Sequence, residues 1–153
     1  MIPLSLRQIC DDELPQATAL LAVLNADVSE SEVAERLRRI LFEHSNYRLY
    51  GAFEESRLLG VCGAWIATKV WCGRYLEVDN LVVGPNQRSR GVGTQLLDFM
   101  EKLGRESDCR ILVLDSYTSN HSSHRLYHRL NYEIKGFHFV KVLADHTGAL
   151  VSA

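Results

Sequence analysis

Apolar and polar positions along the chain repeat with two different periods, and the points where the period switches mark its elements. Leu4-Ser5-Leu6-Arg7 alternates and predicts a short strand. Asp11-Asp12-Glu13-Leu14-Pro15 opens a helix with acidic residues and an early proline; Leu14, Ala17, Leu21 and Leu24 then recur at helical spacing. A loop over 25–28 leads to Ser29-Glu30-Ser31-Glu32, a capping box for a second helix with Val33, Leu37, Ile40 and Leu41 as its buried stripe. The period then drops to two. Tyr47 to Phe53 predicts a strand, Glu54 to Arg57 a polar turn, and Leu58 to Val70 a longer strand. That strand is apolar on both faces from Val61 to Ile66, which argues for a central place in a sheet. After a turn at Trp71 to Arg74, Tyr75 begins a strand that ends in Leu81, Val82 and Val83 and is stopped by Gly84-Pro85. Short turns between successive strands imply antiparallel pairing.

The second half returns to helical spacing. Val92, Leu96, Leu97, Met100 and Leu103 form one stripe of a helix running from Thr94. Cys109 to Leu114 reads as a buried strand, parallel to its predecessor after the helical crossover. A last helix over 119–130 and two closing strands, Tyr132 to Ile134 and Gly136 to Leu143, complete the pattern, and the tail from Ala144 is expected to be less ordered. The order β-α-α-β-β-β-α-β-α-β-β predicts a single α/β domain over 1–153, built on one mixed, mostly antiparallel twisted sheet with flanking helices.

The composition agrees with this picture and narrows it. The chain has 153 residues, enough for one domain with a core of its own. A net charge of −2 gives no global reason to expect nucleic acid or an anionic membrane as partner. Cys10, Cys62, Cys72 and Cys109 are scattered, with no Cys-x-x-Cys, so a zinc cluster is not expected; Cys62 and Cys109 sit in apolar runs and read as small core residues. No leader-like or membrane-length apolar run occurs, and the expectation is a reduced, cytoplasmic setting.

The chemistry concentrates between strand and helix, in Gln87-Arg88-Ser89-Arg90-Gly91-Val92-Gly93-Thr94. A loop that opens a helix leaves the first backbone N–H groups without intrahelical partners, at the positive end of the helix dipole. Glycine lets the main chain approach a bound group closely, and Arg88 and Arg90 add forked donors. Together these features define a phosphate or diphosphate socket. The lysine of a Walker loop is missing after Gly93, and Leu96 stands where a dinucleotide fingerprint needs a small residue.

What does match is Gln/Arg-x-x-Gly-x-Gly, which resembles the acyl-CoA loop of the GCN5-related N-acetyltransferases. A second block, Asn120-x-x-Ser123-x-x-x-Tyr127-x-x-x-Asn131-Tyr132, is similar to that family's Asn-x-x-Ala-x-x-x-Tyr-x-x-x-Gly-Phe. Ser123, Asn131 and Tyr132 depart from it; asparagine in place of glycine still tolerates the left-handed conformation at a helix end. The element order is also the family's order. The resemblance implies acetyl-CoA as cosubstrate and the acyl-CoA N-acyltransferase fold. It implies that the strand ending at Val83 is splayed from its parallel neighbour, with the pantetheine arm pairing along the main chain of Leu81, Val82 and Val83. It also implies that a backbone N–H, that of Leu81, faces the thioester oxygen.

Acetyl transfer to an amine needs a base, an acid for the departing thiolate and oxyanion donors. Tyr127 lies where the resemblance places the acid; a packed amphipathic tyrosine is its bland alternative. Glu77 and Asp79, two apart on a strand, share a face, and Glu77 is the first candidate for the base, with Asp79 second. Leu81 and Val83 would share that face in a regular strand, so a polar pair running into an apolar pair suggests a bulge near Asn80. Asn120 is read as a helix cap or a ligand of the cofactor arm, and Ser123 lies one turn before Tyr127. His124 and His128 have metal-ligand spacing but lack a carboxylate to complete a site, so no metal is expected. Trp65 is read as core and Trp71 as a candidate pocket residue.

The leading expectation is an acetyl-CoA-dependent N-acetyltransferase that works by direct attack of a primary amine. A small-molecule amine is preferred, because residues 132–139 are similar to the ending of small-molecule acetyltransferases of the aminoalkylphosphonate type. A protein lysine or N-terminal amine is the second choice, and a non-catalytic CoA sensor is the reading from another class. Edge strands at the C-terminal end can pair between subunits, which leaves a homodimer open.

Overall fold

The computed structural model describes residues 4–143. The expected tail from Ala144 lies outside the described residues. The chain divides into two compact units, 1–114 and 115–153.

The first unit is a five-stranded sheet in the order β1-β2-β3-β4-β5. β1 (Ser5–Gln8), β2 (Tyr47–Glu54), β3 (Arg57–Lys69) and β4 (Gly73–Val83) are paired antiparallel, and β5 (Ile111–Leu114) is parallel to β4. A 3-10 turn at Asp11–Glu13 precedes α1 (Leu14–Leu24); α2 (Glu30–Glu43) follows, and α3 (Val92–Glu106) connects β4 to β5. The Ser29 hydroxyl caps α2 by accepting the Glu32 N–H at 3.3 Å, as the capping pattern predicts. At the first turn of the chain Arg7 forks onto Glu13, which is held well below the usual carboxylate range, at about 2; the hydrogen bond from Arg7 is the first cause and the Cys10 N–H the second.

Two cores flank the sheet. One face packs Ala17, Leu21, Val33 and Leu37 of α1 and α2 on Tyr47, Leu49, Phe53, Val61 and Val82. Val92, Leu96, Leu97 and Met100 of α3 are all buried, as the predicted stripe requires, and its fifth member, Leu103, is half-buried. Val92 and Leu96 approach the sheet at Gly60, where a Cβ would come within 3.2 Å of both and 3.0 Å of the Val82 carbonyl. Cys62 is fully buried, as expected, whereas Cys109 is only half-buried.

Several boundaries differ from the pattern-based reading. α3 begins at Val92 rather than Thr94, because Gly91 at φ 79° turns the chain into the helix and places Val92 and Gly93 in its first turn. β5 is shorter than expected and starts at Ile111.

The second unit contains α4 (His121–Arg129), capped by Asn120, whose Oδ1 accepts the Ser123 N–H at 3.4 Å. Asn131 takes φ 63° at the helix end, as the asparagine-for-glycine reading requires. The two closing strands, Tyr132 to Ile134 and Gly136 to Leu143, do not form among the described residues. Their apolar alternation is present and Ile134, Phe137, Phe139 and Leu143 are exposed, but a strand also needs a ladder partner, and none pairs with them there.

Candidate active site

Two departures from regular geometry lie at the two ends of the segment from Glu77 to Thr94. The first is in β4. Val61 of β3 pairs with Val82 and Gly63 with Asp79, so Asn80 and Leu81 together oppose the single residue Cys62. This is the bulge expected near Asn80, which takes φ 51°. It settles the face problem posed by the sequence. The extra residue puts Val82, rather than Leu81, on the face of Asp79; Val82 is buried in the core of α1 and α2, and Leu81 and Val83 are half-buried on the other side.

The register fixes what surrounds the carboxylates. Tyr47 opposes Trp65, and Trp65 opposes Glu77, so the three share one face. Gly63 and Asp79 form the next row on that face. Asp79 Oδ2 accepts the indole N–H of Trp65 at 3.2 Å and the side-chain amide of Asn80 at 2.7 Å. Trp65 is half-buried, with the Tyr47 ring centroid at 4.6 Å and that of His44 at 5.1 Å. The Tyr47 hydroxyl is buried and lies over Gly63, where a Cβ would overlap it. Burial, first, and the Asp79 charge, second, push this phenol up. The Cys62 thiol is pushed up by the same two causes in the same order.

The parallel ladder between β4 and β5 runs from Tyr75–Ile111 to Val78–Leu114 and stops there. From Asp79 to Val83, β4 therefore extends beyond its parallel neighbour, and its strand partner there among the described residues is β3.

The second departure is the loop into α3. Pro85–Gln87 forms a 3-10 turn, Ser89 takes φ 63° and Gly91 φ 79°. The Gln95 N–H bonds back to the Gly91 carbonyl at 3.0 Å, so the N–H groups of Val92, Gly93 and Thr94 precede the first intrahelical bond. The Gln87 side chain accepts from Arg90, whose guanidinium also reaches Glu54 at 3.3 Å; Glu54 binds Arg57 at 2.9 Å with its other oxygen. Among the described residues Arg88 makes no ion pair or side-chain hydrogen bond and is exposed. A cluster of main-chain donors at a helix start, with an unpaired guanidinium beside it, fits a diphosphate.

Asn120, Ser123 and Tyr127 belong to the second unit. Ser123 and Tyr127 are both half-buried, one turn apart on α4, and the Tyr127 and Tyr132 rings lie 5.9 Å apart. His124 Nε2 meets the Tyr117 carbonyl at 2.9 Å, and among the described residues no group of three potential metal ligands occurs. Trp71 is 72% exposed at the β3–β4 turn. An open groove of about 550 Å³ between α1 and α2, lined by Asp11, Thr18, Glu30 and Arg38, contains none of the candidate catalytic or cofactor-binding residues. The Trp65–Asp79 bridge was missed in the sequence; only the β3–β4 register brings the two together.

Comparison with known proteins agrees with this geometry. Residues 6–132 match the sequence profile of the Acetyltransferase (GNAT) family, and the chain belongs to that family. It is 24% identical over 131 residues to an uncharacterized N-acetyltransferase, YhdJ, of Bacillus subtilis, covering 85% of this chain and 92% of that protein. Over 73 residues it is 33% identical to the aminoalkylphosphonate N-acetyltransferase of Salmonella typhimurium, covering 48% and 46% of the two chains. The structure of the aminoglycoside N-acetyltransferase AAC(6')-Iy in complex with the bisubstrate analog CoA-S-monomethyl-acetylneamine superposes with a TM-score of 0.79. It is 20% identical and covers 94% of this chain and all of that one; the likeness is one of fold. No helix of the described residues is long and apolar enough to cross a membrane.

Proposed function

We propose that this chain is an acetyl-CoA-dependent N-acetyltransferase that moves the acetyl group directly to the primary amine of a small molecule. The observation that carries the reading is the left-handed glycine loop at the start of α3 in a chain of this family. The diphosphate of coenzyme A is held by the N–H groups of Val92, Gly93 and Thr94 and by Arg88, with Gln87, Ser89, Arg90 and Gly91 shaping the loop. The main-chain groups of Leu81, Val82 and Val83, beyond the end of the β4–β5 ladder, receive the pantetheine arm as a further strand. Acetyl-CoA supplies an activated thioester carbonyl.

Glu77 takes a proton from the acceptor ammonium, and the freed amine attacks. The Leu81 N–H stabilises the oxygen as it gains charge. As the C–S bond breaks, Tyr127 gives its proton to the departing thiolate, and the second proton of the attacking nitrogen returns through water to the phenolate; Asn120 and Ser123 support the cofactor arm on the same helix. The four cysteines are free thiols, which suits a reducing cytoplasm.

Calorimetry with coenzyme A, and release of free thiol from acetyl-CoA with a panel of small amines and lysine peptides, test the reading. Micromolar binding with turnover on at least one small amine is the expected result. Binding without turnover on any acceptor would make the chain a sensor, and the absence of binding at millimolar concentration would overturn the reading altogether. Turnover confined to peptides would move the acceptor class.

A further inference from the structure

The two carboxylates that share the β4 face are not placed alike. Glu77 sits in the regular part of the strand, directly across from Trp65. Asp79 sits at the edge of the bulge, and a single oxygen of its carboxylate gathers two donors, one from β3 and one from the bulge itself. We infer that Asp79 is a positioning residue, which through Trp65 and Asn80 fixes the β4 bulge that carries the Leu81 main chain, beyond Glu77 on the same strand. The inference rests on the acetyltransferase reading and divides the work between its two candidate bases.

Three observations support this assignment. Asn80 holds a left-handed conformation, which asparagine tolerates but does not adopt unless local bonds select it. Its own side-chain amide is tied to Asp79 at 2.7 Å, so the carboxylate holds the residue in that conformation. The indole that holds the other side is itself fixed between the rings of Tyr47 and His44. Behind it, the Tyr47 hydroxyl fills the space that Gly63 leaves open, and the bulge closes on a packed layer. Finally, both N–H bonds converge on Oδ2, which leaves that oxygen little lone-pair capacity for an incoming ammonium and only Oδ1 to meet one. The same two bonds require only an acceptor, which a neutral amide oxygen also provides.

This last point makes the assignment testable. With the full-length protein and an amine acceptor that it turns over, Asp79→Asn should keep kcat within about threefold of wild type, with the acidic limb of the pH profile unmoved. Asp79→Ala should lower kcat by about 10- to 100-fold while KM for acetyl-CoA changes little, and Trp65→Phe should fall between them. The Trp65 indole N–H resonance, assigned with Trp71→Phe, should move in Asp79→Ala and stay near its place in Asp79→Asn. A loss in Asp79→Asn as deep as in Asp79→Ala, with the acidic limb gone, would make Asp79 the proton acceptor and overturn the inference. Wild-type activity in Asp79→Ala or in Trp65→Phe would overturn it too. Should Asp79→Ala fail to fold, Asp79→Asn and Trp65→Phe decide on their own. Lack of turnover in the wild type would instead overturn the acetyltransferase reading; the indole resonance would still report whether the bridge exists.

Discussion

The loop before α3 and the bulge in β4 both bend the chain away from regular geometry, and they do so by opposite means. In the loop the backbone does most of the work: Gly91 is left-handed by residue type, and the N–H groups it leads into belong to no particular side chain. In the bulge a non-glycine residue, Asn80, is left-handed with its side chain tied to Asp79, which Trp65 reaches from the neighbouring strand. A site built from backbone is sensitive to an added Cβ and tolerant of side-chain exchange. A site built from side chains behaves the other way round.

The largest test of this contrast is Glu77→Gln. It removes the proposed base and leaves the loop intact, so kcat should fall by about 10²-fold or more with coenzyme A affinity unchanged. Stopped-flow or steady-state rates beside calorimetry would check it, and a parallel loss of affinity would show that the two regions act as one.

Gly91→Val comes next. A β-branched residue at φ 79° costs ~1–3 kcal/mol of strain, or about 5- to 150-fold in affinity if the loop must keep its shape to bind. Calorimetry with coenzyme A should read that loss, whereas Ser89→Ala, which keeps a small side chain, should change little.

The loop's two arginines give a smaller, salt-dependent effect. Among the described residues Arg88 is exposed without a side-chain partner, while Arg90 is half-buried between Gln87 and Glu54. Arg88→Ala should weaken coenzyme A binding several-fold at low salt and much less at high salt, since screening removes what an exposed charge contributes. Arg90→Ala should weaken it less and should instead cost ~0.2–1 kcal/mol of stability, measured by thermal unfolding.

The same contrast explains what could be read from the chain. The loop was legible because its requirement falls on residue type: glycine, arginine and a helical stripe stand next to one another in the sequence. Only the helix start was misplaced, since a glycine pair does not say which of its members turns the corner; Gly91 does. The bulge was half legible. Glu77 and Asp79 followed by Leu81 and Val83 cannot all occupy one face, which placed an irregularity near Asn80. Its fastening could not be read, because Trp65 meets Asp79 only through the register of two strands and lies diagonal to it. The closing strands failed for a related reason. Phe137-His138-Phe139 alternates as a strand should, but alternation describes a face and says nothing of the neighbour that completes the ladder.

The smallest effect asks whether the two regions are independent. Cys62 opposes the bulge and is fully buried, with its thiol pushed up by burial and by Asp79, whereas Cys10 is exposed. A thiol reagent at neutral pH should therefore label Cys10 quickly in the native protein and reach Cys62 only through local opening. Asp79→Ala should open the bulge and speed Cys62 labelling several-fold, and Gly91→Val should leave it at the wild-type rate. Mass spectrometry of the labelled peptides separates the two cysteines. If Gly91→Val also exposed Cys62, the loop would be bracing the bulge through the buried contacts of Val92 and Leu96 at Gly60, and cofactor binding at one end of the segment would set the geometry at the other.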